Sequence, residues 1–365
     1  MKTTDLLRLR LHNQQITDSR QRKPQDVVST MVAMQAQEYA MAKWAIALRM
    51  KGTPTDADIE RAFDAGEILR THVLRPTWHF VAPADIRWLV ELTAPRVHAA
   101  SAYMYRQVDL DAAVFKRSDA VIVRALMAEG CLTRTALQAA LAKSRVKAEG
   151  PRLAYLIMHA ELEGLICSGP REGRQFTYAL LETRAPHAKN LKRDEALAEL
   201  SRRYFASRGP ATAQDFACWS GLTVTDARAG VESLGSEFER ATIGGKTLVF
   251  RPIRTTPRDP SGFAFLMPDY DEYGMSYKDR SALSPPARLA FNRMIVVDGQ
   301  IVGSWRRSLS ANAVSIEADY PTPLSRAKLQ AVAHATRRFA VFAGGQLSME
   351  MPKTLPSSSN SKARR

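Results

Sequence analysis

The sequence predicts an α+β fold in which tandem winged helix-turn-helix modules lead into a small C-terminal β-barrel or β-sheet region. Three observations carry this expectation. An order of helix, helix, helix and hairpin returns along the chain. Alternating apolar residues take over after Arg251. A large positive surplus runs through the whole: 52 Lys and Arg against 37 Asp and Glu in 365 residues, a formal net charge of +15. That surplus favours a polyanionic partner, because it raises both local attraction and on-rate.

Residues 1–110 read as a first module. "TDLLRLRLHNQQ" and "PQDVVSTMVAMQAQ" are two helices, and "DADIERAFDAGEI" is a third with Asp56 or Asp58 at its cap. "ILRTHVLRPTWHFVA" is the hairpin, with Trp78 predicted in the core. The second module, 111–190, is the clearest. Val121, Val123, Leu126 and Met127 share a helix face, and Thr133 caps the next helix, which carries Leu137 and Leu141. Pro151 opens a third, where its missing N–H costs nothing. Gly164 ends it, and "LICSGPREGRQFTYAL" supplies strand, turn and strand. The third module, 191–250, repeats the order: "KRDEALAELSRRYFASRG", "PATAQDFACWSGL", "TVTDARAGVESLG" with Thr223 or Thr225 as cap, then a hairpin turning at Gly244-Gly245.

From 251 to 350, "SGFAFLMPDYDEYGMSYKDR" and "RMIVVDGQIVGSWRRSLSANAVSIEADY" alternate like strands, and "PLSRAKLQAVAHATRRFAVFAG" closes as an amphipathic helix. Trp219 and Trp305 are expected in the core. The tail 351–365 is Pro/Ser-rich and basic, the composition of a disordered segment. Cys131, Cys167 and Cys218 are far apart and form no CxxC, which fits a reducing compartment. The N-terminus lacks a signal-type apolar run and no stretch is long enough to span a bilayer, so a cytoplasmic protein is expected, with no membrane partner. The acidic run Asp269, Asp271, Glu272 superficially suggests a cation site, but without His or Cys nearby no metal is expected, and no cofactor.

One stretch resists a purely structural reading. "MQAQEY" places Gln35 and Gln37 around Ala36 at the end of an apolar run. Residues i and i+2 diverge by about 200° on a helix but share one side of an extended segment. For both amides to serve one site, the helix must therefore end near Met34. The alternative is a polar helix end whose amides meet solvent. Glu38, offset by one residue, would point to another face. On the strand "HVLRPTWH", Arg75, Thr77 and His79 project to one side, a placement suited to phosphate or sugar contacts. Arg152, Lys278, Arg280, Arg306 and Arg307 add candidate phosphate contacts.

"MQAQEY", "ILRTHVLRPTWHFVAPADIRWL", "SRGPATAQDFACWSGL", "LMPDYDEYGMSYKDR" and "VVDGQIVGSW", in that order, resemble the AlkZ-like winged-helix DNA glycosylases. The resemblance spans the chain up to the tail. It implies tandem winged helices with a C-terminal β-barrel around a basic channel for duplex DNA. The implied activity is excision of N7-alkylated purines, in one subgroup with unhooking of interstrand crosslinks. It also implies that Gln35-Ala36-Gln37 is the catalytic motif, in the two-glutamine form associated with that subgroup. The chemistry is coherent. An N7-alkylated purine already carries a positive charge and leaves as a neutral base, so the enzyme needs ordered water and preorganised dipoles rather than an acid. Lys43 is the lysine nearest the motif and nothing marks it for Schiff-base chemistry, so a monofunctional enzyme acting as a monomer is expected. A DNA-binding regulator or an architectural DNA binder remains the alternative.

Overall fold

A computed structural model describes residues 2–253, 262–283, 292–310 and 313–349. The tail 351–365, and with it the expectation of disorder there, lies outside the described residues, as do Ser261, Ala311 and Asn312 within the strand stretches quoted above. The chain begins with α1 (Thr3–Asn13), α2 (Pro24–Met31), β1 (Ala33–Gln35), α3 (Tyr39–Leu48), α4 (Asp56–Asp64), β2 (Leu69–Val73) and β3 (Arg75–Val81). The long α5 (Ile86–Gln107) leads into α6 (Ala112–Glu129), β4 (Cys131–Thr133), α7 (Arg134–Lys143), α8 (Pro151–Leu162), β5 (Ile166–Ser168), β6 (Thr177–Leu180) and the single turn α9 (Leu181–Arg184). Then come α10 (Arg193–Arg208), α11 (Ala213–Ser220), α12 (Val224–Glu232), β7 (Glu239–Ile243) and β8 (Lys246–Phe250). The last part holds β9 (Ala264–Leu266), the short α13 (Glu272–Met275), β10 (Met294–Val297), β11 (Gln300–Leu309), β12 (Ala313–Asp319), α14 (Arg326–Ala343) and β13 (Gln346–Met349).

Local signals place most boundaries. Thr133 and Thr223 accept hydrogen bonds from Ala136 N and Asp226 N and so cap α7 and α12. Pro151 opens α8, and Gly164 follows its end with φ +66°. The cap of α4 is Thr55, not Asp56 or Asp58: its hydroxyl accepts from Asp58 N while Asp58 accepts from Thr55 N, a reciprocal box. Helix α2 is shorter than expected. It stops at Met31, and the following segment joins a three-stranded sheet of order β1-β3-β2. Two long helices and two single turns escape the sequence reading: the turns are α9 and α13, and α13 lies in the stretch around Glu272 that reads as strand. α3 is buried on nearly every side and so shows no amphipathic period, and α5 carries Pro95 in its interior.

The C-terminal strands form one open five-stranded sheet, β13-β12-β11-β10-β9, with α14 packed on it. The barrel implied by the resemblance does not close: among the described residues β9 and β13 are the two edges. The sheet shares its core with the N-terminal helices. The Trp44 indole N–H donates to Leu266 O at 2.7 Å and its ring meets Phe339 edge-on at 5.2 Å. Trp305 is buried in the same cluster and donates to Met267 O. This packing ties α3 to the segment that carries α13.

Helix α11 ends against the β2–β3 turn. Gly221 has φ +73°, and a Cβ there would run into the Leu74 carbonyl oxygen. Gly221→Ala is therefore expected to cost at least about 2 kcal/mol, the left-handed backbone penalty plus the clash. The loss is read from the urea midpoint at unchanged slope.

Candidate active site at the Gln35–Gln37 segment

The glutamine pair sits where the chain leaves α2. Val32 holds φ +65° and ψ −58°, a tight γ-turn geometry that a β-branched residue adopts only under constraint. The constraint comes from α10. Arg208 donates to Met31 O and Ala33 O, both at 2.8 Å, satisfying carbonyls that the broken helix leaves open. Beyond the turn the chain is extended through β1 and bends at Gln37 and Glu38. Met34 and Ala36 are fully buried, Gln35 is 8% exposed and Gln37 is open to solvent. The condition for both amides to serve one site, a helix ending before them, is met.

Sheet register gathers the next residues. Gln35 lies opposite His79, and His79 lies opposite Thr71, so the three side chains form a row on one face. Arg75 and Thr77, further back along β3, join the same face. Arg75 Nη2 is 3.5 Å from Gln35 Oε1 and 3.4 Å from His79 Nε2, and its other nitrogen donates to Trp219 O. His79 Nδ1 donates to Thr77 O at 3.0 Å, which leaves Nε2 as the acceptor facing Arg75. Complete burial, helped by Arg75, drives the imidazole down to about 3, so it is neutral at physiological pH. The Thr77 hydroxyl is buried without a hydrogen-bond partner, and so is that of Thr71. Trp78 corrects the sequence reading: it is half-buried rather than in the core, its ring tilted 42° against His72 at 4.3 Å with the Arg70 guanidinium 4.3 Å from it.

A residue without a site role in the sequence reading organises the whole. Glu272, on α13 and buried, accepts from Gln35 N at 3.0 Å, Arg208 Nη2 at 2.8 Å, Trp219 Nε1 at 2.8 Å and Ser276 Oγ at 3.0 Å. Burial pushes its carboxyl up, but the Arg208 guanidinium and the Gln35 N–H more than reverse that and hold it at about 2. It is an anion fixed behind the glutamine motif. Asp271 beside it takes two hydrogen bonds from Arg49, at 3.0 and 2.9 Å, both side chains fully buried. Asp269 pairs with Arg293 at 2.9 Å. The acidic run thus answers three arginines one by one, which is not a cation cage. Only the wide separation in sequence hides this, since no local pattern links Glu272 to Arg208.

The remaining candidates are dispersed. Arg152 donates to Lys147 O and Asp109 O, both at 2.8 Å, and to Val108 O, so its guanidinium joins the start of α8 to the end of α5. Arg280 donates to Gly274 O at 2.7 Å, just after α13. Lys278 is exposed, with its backbone N–H bound to Asp215. Arg306 is exposed on β11 opposite Glu317, and Arg307 lies over the Phe339 ring. The structure therefore brings together Gln35, Arg75, Thr77 and His79, backed by Glu272, Arg208 and Trp219, with Gln37 exposed two residues beyond Gln35.

Comparison with known proteins identifies the family and the fold. The family model described as "DNA glycosylase AlkZ-like" matches residues 28–342. A curated protein of Streptomyces sahachiroi named "Interstrand DNA cross-link repair glycosylase" is 26% identical over 326 residues, spanning 81% of this chain and 85% of its own length. The solved structure of Streptomyces sahachiroi DNA glycosylase AlkZ superposes with a TM-score of 0.74 at 20% identity, covering 96% of this chain and 100% of that one, a shared fold.

Proposed function

Since the chain belongs to the AlkZ-like DNA glycosylase family, we propose that it hydrolyses the N-glycosidic bond of cationic N7-alkylated purines in duplex DNA, interstrand crosslinks included. The observation that carries this reading is the electrostatic character of the motif. Its groups are two neutral amides, an imidazole kept neutral by burial and a carboxylate already bound by Arg208. Such a site has little to protonate a leaving group with, and a cationic purine needs no proton. Water attacks the anomeric carbon, the C–N bond electrons pass to the purine, and the base departs neutral. The positive charge appears in solvent as the proton lost from that water. Gln35 and Gln37 order the water through amide oxygen and nitrogen, and the Thr77 hydroxyl, unpaired in the fold, is positioned for the sugar or its phosphate.

Tandem winged helices then cradle the duplex as a monomer, with phosphate contacts from the exposed Lys278 and Arg306. Arg280 next to α13 and Arg152 at the foot of α8 support that surface. Gln37 stands at the solvent edge, so a bulky crosslinked base need not be enclosed in a snug pocket. The reading is tested with duplexes carrying either 7-methylguanine or an N7-linked guanine crosslink. Release of the methylated base and separation of the crosslinked strands support it. Tight binding without release from either duplex transfers the protein to the regulators or architectural binders. Release of 7-methylguanine alone restricts it to monoadducts.

A further inference from the structure

A second cluster of ligating side chains lies where α5 packs against α8. His98 projects from α5; His159 and Glu163, four residues apart, share one face of α8 and its C-terminal end. One ligand atom from each of the three lies within 4.8 Å of the others. His98 Nε2 is 3.2 Å and His159 Nε2 3.8 Å from the same Glu163 oxygen, Oε1. In a tetrahedral zinc site with bonds near 2.0–2.1 Å, neighbouring ligand atoms stand about 3.3 Å apart, and these two distances bracket that edge.

Each of the opposite ring nitrogens has an oxygen close by. His98 Nδ1 is 3.0 Å from the Tyr105 hydroxyl and His159 Nδ1 is 3.1 Å from Asp119 Oδ2, while Phe115 stacks flat on the His159 ring at 3.8 Å. An oxygen beside one ring nitrogen is the outer arrangement that orients metal-bound imidazoles; it is formed as a hydrogen bond at His98, and at His159 the Asp119 carboxylate stands at contact distance. His98 Nε2 and His159 Nδ1 are both buried ring nitrogens without a hydrogen-bond partner, and His98 Nε2 is the one that lies 3.2 Å from Glu163 Oε1. None of these residues takes part in the contacts of the Gln35–Gln37 site.

We propose that His98, His159 and Glu163 bind one divalent cation of the zinc class, which clips α5 to α8 and leaves a fourth position to water. Two imidazoles and a carboxylate suit zinc better than magnesium or calcium, which prefer all-oxygen shells. The ion ties together two helices of different sequence regions, so its effect is on stability, and DNA glycosylase chemistry does not depend on it.

The test uses the untagged full-length chain, stripped with a chelator and titrated with Zn²⁺ by calorimetry, with metal content and thermal midpoint measured in parallel. The expected result is about one zinc per chain and a midpoint that rises with free zinc. His159→Ala and Glu163→Gln are expected to weaken binding at least about ten-fold and to abolish the midpoint shift. Glu163 is exposed, so its variant reports binding even where a histidine variant folds poorly. A Cys131→Ser, Cys218→Ser double variant, which removes the exposed thiols, is expected to bind zinc as the wild type does. Failure of the wild type to take up zinc, or uptake unchanged in Glu163→Gln and His159→Ala, overturns the proposal.

Discussion

Gln37→Ala is expected to lower the single-turnover release of 7-methylguanine by about 10²–10³-fold, the usual effect of deleting one preorganised polar group at a reacting centre. The fold should not notice the change, because the Gln37 side chain is exposed. DNA affinity should also persist, since charge supplies most of it and no charge is removed. Gln35→Ala is expected to fall by a similar factor. Its backbone N–H stays bound to Glu272, and only the amide facing Arg75 is lost. Together the two variants separate chemistry from binding: release is measured with every duplex occupied, and occupancy by fluorescence anisotropy. Loss of affinity with unchanged release would make the pair a docking element instead.

Glu272→Gln is expected to be the most destabilising conservative change in this region. The carboxylate is the counter-ion of Arg208, whose guanidinium is fully buried and lies 4.3 Å from the Trp219 ring. Removing one member of a buried, hydrogen-bonded pair leaves an uncompensated charge and costs about 3–5 kcal/mol. The damage is local as well as global. Arg208 also holds the Met31 and Ala33 carbonyls, so its displacement frees the turn at Val32 and with it the register of Gln35. Stability by urea denaturation should drop, and base release should fall even at temperatures where the variant remains folded. Acid has the same target. The folded value, about 2, lies below the ordinary 4.5, so this contribution is complete above about pH 4.5 and is lost as pH falls through about 2. In Glu272→Gln that part of the acid sensitivity disappears.

How much of this was legible in the sequence follows from the range of each interaction. Caps and breakers act within a few residues, so Thr133, Pro151 and Gly164 mark their helix ends correctly, and of Thr223 and Thr225 the first is the cap. The β2–β3 hairpin and the shared face of Arg75, Thr77 and His79 follow from a two-residue period. The termination of α2 does not. Its apolar pattern runs on through Val32 and Met34, and what stops it is a guanidinium from residue 208. Glu272 was visible as an acid in "DYDEYG", but its role depends on Arg208, Trp219 and Gln35, each more than fifty residues away. Arg152 looked like a surface cation because a sequence shows charge and not the three carbonyls that the charge answers. Closure of the C-terminal sheet was equally beyond local patterns, since alternation fixes which side faces inward and says nothing of whether the edges meet.

The proposed site works without a titrating acid or base. The most direct measurement is the single-turnover rate of 7-methylguanine release, at saturating enzyme, across about pH 5 to 7, where an ordinary histidine changes charge. His79 at about 3 and Glu272 at about 2 hold their charge states throughout that window, and the glutamines do not titrate. The predicted profile is flat within about two-fold. A rate that follows a single ionisation between those limits, approaching ten-fold per pH unit on one side, would place a protonated histidine or a raised carboxyl at the reacting centre and contradict the two-amide mechanism.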